Sequence, residues 1–225
     1  MTLYTLILST HVWAKVQNSY PAGFPVMTNI PNILTLFRII LIPAFVLFFY
    51  CPFSWKHLIT AAIFGIAALT DWLDGYLARR LNQTSAFGAF LDPVADKLMV
   101  VVALVLLVGN HETAWLAIPA AVIIGREIVV SALREWMAEL GQRATVAVAT
   151  VGKFKTIFQM LAIFIMLLGE PTAEVPEWQS GSLLANLTLF KHVIYTIGFS
   201  LLYIAALLTL WSMVAYLHAS WKSMR

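Results

Sequence analysis

The stretch VIYTIGFSLLYIAALLTLWSMVAYL, Val193–Leu217, is twenty-five mostly apolar residues in a row. About 20 such residues in a helix cross the hydrocarbon layer of a bilayer. Five further segments read the same way: Leu34–Phe53, Leu58–Leu77, Leu91–Val108, Thr113–Met137 and Val148–Leu168. Between them stand turn-forming or polar residues: Pro52, then Asn110, His111 and Glu112, then the segment 169–181 with Pro171 and Pro176. The composition agrees, with 61% apolar residues, 11% charged residues and a mean hydropathy of +0.85. A soluble domain carries about 25% charged residues, so this chain lacks the polar surface that a water-soluble globule needs. Disorder is excluded by the abundance of apolar material, and a disulfide scaffold by the single cysteine, Cys51. The reading is an all-α integral membrane protein, six transmembrane helices in one bundle.

The net charge of +3 sets fourteen basic residues, spread along the chain, against eleven acidic ones. No basic run or aromatic-interleaved patch exists, so nucleic-acid binding is not expected. Membrane topology explains the distribution better. Arg79 and Arg80 follow span two, Arg143, Lys153 and Lys155 sit near the connection between spans four and five, and Lys222 and Arg225 end the chain. The alternate loops hold few cations, so the basic side is assigned to the cytoplasm together with both termini. Residues 1–26 read as an extension ahead of a domain over residues 27–225. Trp13, Lys15 and Tyr20 suit an interfacial segment, and a weakly structured extension is the alternative.

Carboxylates inside apolar spans are costly and mark function. Asp71 and Asp74 end span two, and Asp92 and Asp96 begin span three. The first pair is three residues apart, about 4.5 Å of helical rise, and the second is four apart, so each pair shares a helix face. A short connection joins the spans and lets the two pairs converge near the cytoplasmic end. Four carboxylates cannot remain ionised together in low dielectric without cations. Oxygen donors suit hard divalent ions such as Mg²⁺ or Mn²⁺, and two such ions close together form the clamp used for displacement at phosphorus. Gly75 and Ala78 strip bulk from the neighbouring face, and Arg79 offers a fork for phosphate oxygens.

The pattern D-x2-D-G-x2-A-R-x8-G-x3-D-x3-D, carried by Asp71, Asp74, Gly75, Ala78, Arg79, Gly88, Asp92 and Asp96, resembles the signature of the CDP-alcohol phosphotransferases. Every fixed position matches, and the likeness runs from about Met27 to the C-terminus. The resemblance implies two divalent cations, with Asp71 bridging both, Asp74 holding one, and Asp92 and Asp96 the other. It implies that Asp96 also takes the proton from the acceptor hydroxyl. It places Gly75, Ala78, Arg79 and Ser85 at the CDP moiety of the donor. Asn32, Thr35 and Arg38, at the start of span one, would assist with the nucleotide and its phosphates, or else cap and anchor the helix.

The acceptor must be read elsewhere. Span four carries Arg126, Glu127, Arg134 and Glu135, and Arg126 and Arg134 lie two turns apart on roughly one face. Lys153 and Lys155 open span five. Arg126, Arg134, Lys153 and Lys155 together suit an anionic acceptor such as a phosphorylated alcohol. Pairing of Arg126 with a nearby carboxylate is the plainer alternative. The strings over residues 32–38, 125–131 and 152–156 resemble the branch of the family that transfers a phosphatidyl group from CDP-diacylglycerol to sn-glycerol 3-phosphate, releasing CMP. Inositol phosphate, inositol or serine are the other acceptors to weigh, and the uncharged ones need less positive charge. The resemblance further implies a homodimer in a bacterial inner membrane, with the active site facing the cytoplasm. From a different class, a divalent-cation or proton-coupled transporter also uses intramembrane carboxylates, but the chain has no matching acidic pair in its second half and no inverted repeat. A zinc protease would need paired histidine ligands such as H-E-x-x-H, which the chain lacks.

Overall fold

The computed structural model describes residues 30–81, 86–111, 113–139, 151–169 and 183–223. They form six helices: α1 (Ile30–Tyr50), α2 (Lys56–Leu81), α3 (Ala86–His111), α4 (Ala114–Glu139), α5 (Val151–Leu168) and α6 (Leu183–Ser223). The extension over residues 1–26 lies outside the described residues. Helices α1, α2, α4 and α6 contain stretches long and apolar enough to cross a membrane, and Lys155–Leu168 of α5 is a shorter apolar helix. The chain is therefore a multi-pass membrane protein. Helix α3 is interrupted in its apolar character by Asp92, Asp96 and Lys97.

Local chemistry explains the boundaries. Helix α1 stops at Tyr50 rather than Phe53 because Pro52 disfavours helical geometry in the residue before it. A turn follows, closed by Lys56 N–H donating to the Phe53 carbonyl at 3.2 Å. At the start of α4, the Thr113 carbonyl accepts from Leu116 and Ala117 N–H at 3.1 and 3.2 Å. The largest departure from the sequence reading is α6. It runs for 41 residues, where the hydropathy pattern marks only Val193–Leu217. At 1.5 Å per residue it is about 60 Å long, twice the hydrocarbon thickness. Lys191 and His192 interrupt the apolar run but are compatible with helix, and no proline lies between Leu183 and Ser223.

Packing is most extensive between α5 and α6, then between α1 and α2; α4 also lies on α6, α1 on α3, and α2 on α5. The main core is built from Phe45 of α1, Phe64 of α2, Leu104 and Leu107 of α3, Ile163 and Met166 of α5 and Leu202 of α6. Outward-facing residues such as Leu47, Trp72, Trp115, Leu207 and Trp211 are exposed, as expected of a lipid-facing surface.

Helices α5 and α6 approach closely because Gly198 has no side chain. A Cβ there would stand 2.7 Å from Met166 Cγ, 3.0 Å from the Met166 backbone nitrogen and 3.1 Å from the Ala162 carbonyl oxygen. The backbone contacts cannot move aside without separating the helices. Gly198→Val is therefore expected to cost about 1–3 kcal/mol, the usual range for overpacking. The measurement is the thermal unfolding midpoint of the detergent-solubilised protein, and an unchanged midpoint would contradict the tight α5–α6 contact.

Candidate active site

Asp71 and Asp74 sit in the last three turns of α2, and Asp92 and Asp96 in the first three of α3, with four residues of connection between the helices. Helix α1 ties both pairs together. Arg38, 1% exposed, places Nη1 at 2.8 Å from Asp71 Oδ1, an ion pair whose angles fall short of a hydrogen bond. Its Nη2 donates to Asp74, which is also buried. One turn earlier, the buried Thr35 hydroxyl donates to the Asp92 carboxylate. Thr35 and Arg38 are three residues apart, so one face of α1 meets carboxylates on two other helices. Asn32 is buried one turn before Thr35. Thr35 and Arg38 therefore lie at the carboxylates themselves.

Asp71, Asp92 and Asp96 open onto a cavity of about 640 Å³. The same cavity is lined by Arg126, Glu127 and Arg134 of α4, Lys155 of α5 and Tyr216 of α6. Glu127 is the hub of this second group. It accepts from Arg126 Nη1 at 2.8 Å and from Lys155 Nζ. Arg126 Nη2 reaches across to Ser212 Oγ on α6 at 3.2 Å, and Arg134 Nη2 donates to the Tyr216 phenol oxygen at 3.2 Å. Next to Asp96, Lys97 Nζ donates to Ser131 Oγ at 2.5 Å, and that hydroxyl donates to the Glu127 carbonyl at 2.6 Å. The cavity wall as a whole thus mixes four acids (Asp71, Asp92, Asp96, Glu127) with four bases (Lys97, Arg126, Arg134, Lys155).

Two atoms on this wall point to a polar ligand. Among the described residues, Arg126 Nε and Gln159 Oε1 are buried without a hydrogen-bond partner, and both residues line the cavity. Buried polar atoms are normally paired, and an orphan needs an explanation such as a bound group.

The carboxylates suit hard cations in kind, since the donors at this end are oxygen atoms. A separate space of about 10 Å³ touches Asp71, Asp96 and Arg38 but is otherwise lined by Phe64, Ala67, Ala68, Met99 and Met160, so its lining is mostly apolar. Among the described residues, no three acidic, histidine or cysteine side chains close into a ready coordination cage. Arg38 instead supplies the counter-charge that Asp71 and Asp74 need, so ions entering here would share these carboxylates with its guanidinium.

Of the other expected site residues, Arg126, Arg134 and Lys155 come together on the cavity. Gly75, Ala78, Arg79 and Lys153 fall on helices, but their surroundings lie outside the described residues, as does Ser85 entirely. The sequence reading misses Lys97, Gln159, Ser212 and Tyr216 as site residues and gives Glu127 no role. Ser212 and Tyr216 are four apart on one helix face, a visible signal, yet nothing in the chain says that this face meets α4.

The chain matches the family profile described as CDP-alcohol phosphatidyltransferase over residues 28–215. It is 53% identical over 192 residues to a Pectobacterium atrosepticum protein named CDP-diacylglycerol--glycerol-3-phosphate 3-phosphatidyltransferase, covering 85% of this chain and 94% of that one. A Yersinia enterocolitica protein of the same name is 52% identical over 196 residues, 87% of this chain and 97% of its own length. One from Pseudomonas fluorescens is 54% identical over 198 residues, 88% and 92% respectively.

Proposed function

Because the chain belongs to the CDP-alcohol phosphatidyltransferase family, we propose that it transfers a phosphatidyl group from CDP-diacylglycerol to sn-glycerol 3-phosphate, giving phosphatidylglycerophosphate and CMP in phospholipid biosynthesis. The observation that carries this reading is that one cavity is lined both by the carboxylates of Asp71, Asp92 and Asp96 and by Arg126, Arg134 and Lys155. A phosphorylated acceptor brings an anionic group for the cations and an attacking hydroxyl for a carboxylate, and the cavity offers both kinds of partner.

Two divalent cations, Mg²⁺ or Mn²⁺, would be held by Asp71, Asp74, Asp92 and Asp96, neutralising the donor diphosphate and the charge that develops on departing CMP. With them present, the balanced wall of four acids and four bases acquires an excess of positive charge suited to two anionic substrates. Asp96 accepts the proton of the acceptor's primary hydroxyl. The hydroxyl oxygen forms its bond to the β-phosphorus as the bond from that phosphorus to the CMP oxygen breaks. Arg126, Arg134 and Lys155 hold the acceptor phosphate, with Lys153 assigned beside them, and Arg79, Gly75, Ala78 and Ser85 are assigned to the CMP portion. Thr35 and Arg38 orient the carboxylates, and Asn32 stands with them. Four basic groups lining the same cavity as the carboxylates would obstruct a cation path, which weighs against a transporter.

The same reading includes six membrane crossings, α3 and α5 among them, in a homodimer of a bacterial inner membrane with both termini and the cavity on the cytoplasmic side. Support for the orientation comes from the basic residues near the cavity end of the bundle. The donor's acyl chains remain in the bilayer, so the reaction belongs at its boundary with the cytosol.

The test is CMP release by the purified protein in mixed micelles containing CDP-diacylglycerol. Release should require glycerol 3-phosphate, stop on chelation and return with added Mg²⁺ or Mn²⁺. Equal release with serine or inositol, or with no acceptor, would overturn the assignment. Within that assay, Arg126→Ala should raise the acceptor KM more than Arg134→Ala, because Arg126 is only 7% exposed and its loss leaves Lys155 as the one ion-pair partner of Glu127 among the described residues. Truncating a buried charge partner costs about 2–5 kcal/mol. The donor KM should change little in both variants; unchanged acceptor KM in both would remove the phosphate-pocket assignment.

A further inference from the structure

We propose that Tyr216 is a positioning residue for the acceptor site: it aims Arg126 and Arg134 together at the acceptor phosphate and thereby sets discrimination between phosphorylated and unphosphorylated alcohols. The inference rests on the function proposed above. Tyr216 is 6% exposed and lies on α6 where that helix crosses α4. Its ring centroid stands 5.7 Å from Arg126 Cζ and 5.4 Å from Arg134 Cζ, and its phenol oxygen accepts from Arg134 Nη2 at 3.2 Å. One turn earlier, Ser212 accepts from Arg126 Nη2.

Two guanidiniums drawn to one place repel each other and, as long flexible side chains, lose rotamer freedom when held there. A neutral aromatic ring attracts both through its quadrupole without cancelling their charge. A carboxylate in its place would hold them equally well but would compete with the phosphate. The position of the ring is itself secured. It packs with Val130 and Met137 of α4, the helix that carries both arginines. Order in the site before the acceptor arrives reduces what binding must supply. Both arginines meet the ring, but only Arg134 is also bonded at the phenol oxygen, whereas Arg126 bonds Ser212 and Glu127 instead.

That difference defines the experiment. Full-length Tyr216→Phe and Tyr216→Leu are compared with wild type in the CMP-release assay, varying each substrate in turn. Tyr216→Phe keeps the ring and its packing but removes the acceptor for Arg134, and should raise the KM for glycerol 3-phosphate about three- to tenfold. Tyr216→Leu removes both contacts and should raise it about ten- to a hundredfold. In both, kcat and the KM for CDP-diacylglycerol should stay within about twofold, as expected of uniform binding loss. Preference for glycerol 3-phosphate over glycerol should fall in the same order. In an Arg134→Ala background, Tyr216→Phe should add almost nothing, because the two share one interaction. A wild-type acceptor KM in Tyr216→Leu, or equal rises in both substrates' KM in Tyr216→Phe, would overturn the inference alone. Failure of the wild-type protein to release CMP in response to glycerol 3-phosphate would overturn the functional reading and this inference together.

Discussion

Asp96→Asn is expected to lower kcat by at least about 10²- to 10⁴-fold, the usual contribution of a positioned proton acceptor. Asparagine is nearly the same size, so the wall that Asp96 shares with Asp71 and Asp92 should keep its shape. What disappears is the site that takes the acceptor's proton, together with one of the two carboxylates assigned to the second cation, which enlarges the loss of turnover. Binding of CDP-diacylglycerol, measured separately from turnover, should fall much less than kcat. Asp71→Asn should behave differently, losing donor binding and turnover together, because its proposed role is to share both cations. Near-normal turnover by Asp96→Asn would remove its assignment as base, and donor binding lost in parallel with turnover would reassign it to cation binding alone.

Arg38→Ala should be the most damaging change at the site that touches no proposed acceptor group. Arg38 and Asp74 form a buried pair, and removal of one partner from such a pair costs roughly 3–5 kcal/mol. The contact to Asp71 adds less, since that carboxylate is 42% exposed and solvent screens it. The expected result is a lower unfolding midpoint and severe loss of activity. Arg38→Lys should recover part of the stability but little of the activity, because a single ammonium cannot span Asp71 and Asp74 as the guanidinium fork does. Added Mn²⁺ should raise the midpoint of Arg38→Ala more than that of wild type, as the stranded carboxylates gain a substitute counter-charge. An Arg38→Ala protein as stable as wild type would show that the α1–α2 ion pair contributes nothing to holding the carboxylates.

Much of the site is legible in the chain because its elements are local. Asp71 with Asp74, and Asp92 with Asp96, are each pairs within one or two turns, and helical period alone puts each pair on one face. Four acids in apolar surroundings then demand counter-charge whatever the packing. Arg126 and Arg134 stand out for the same reason. The residues that answer them do not. Thr35 is 57 positions from Asp92, and Tyr216 is 82 from Arg134. A tyrosine or threonine in a membrane helix carries no cost that would mark it, so its partner becomes visible only when the helices are packed.

The same division holds for the fold. Apolar length determined by itself that the chain is helical and inserts in a membrane, because backbone groups in lipid must be satisfied within each segment. Residues 1–26 offered no comparable constraint. Hydropathy could not set the end of α6, since a helix continues past the apolar stretch wherever no residue breaks it, as from Leu217 to Ser223. Tertiary structure alone decided which helices are neighbours: that α1 delivers Arg38 to α2, that α5 and α6 close on Gly198, and that α6 supplies Ser212 and Tyr216 to the arginines of α4. Lipid is as apolar as the helix faces, so the hydrophobic effect that drives insertion does little to choose among pairings. That choice falls to close packing at small residues and to bonds between polar groups on different helices, and both depend on three-dimensional arrangement.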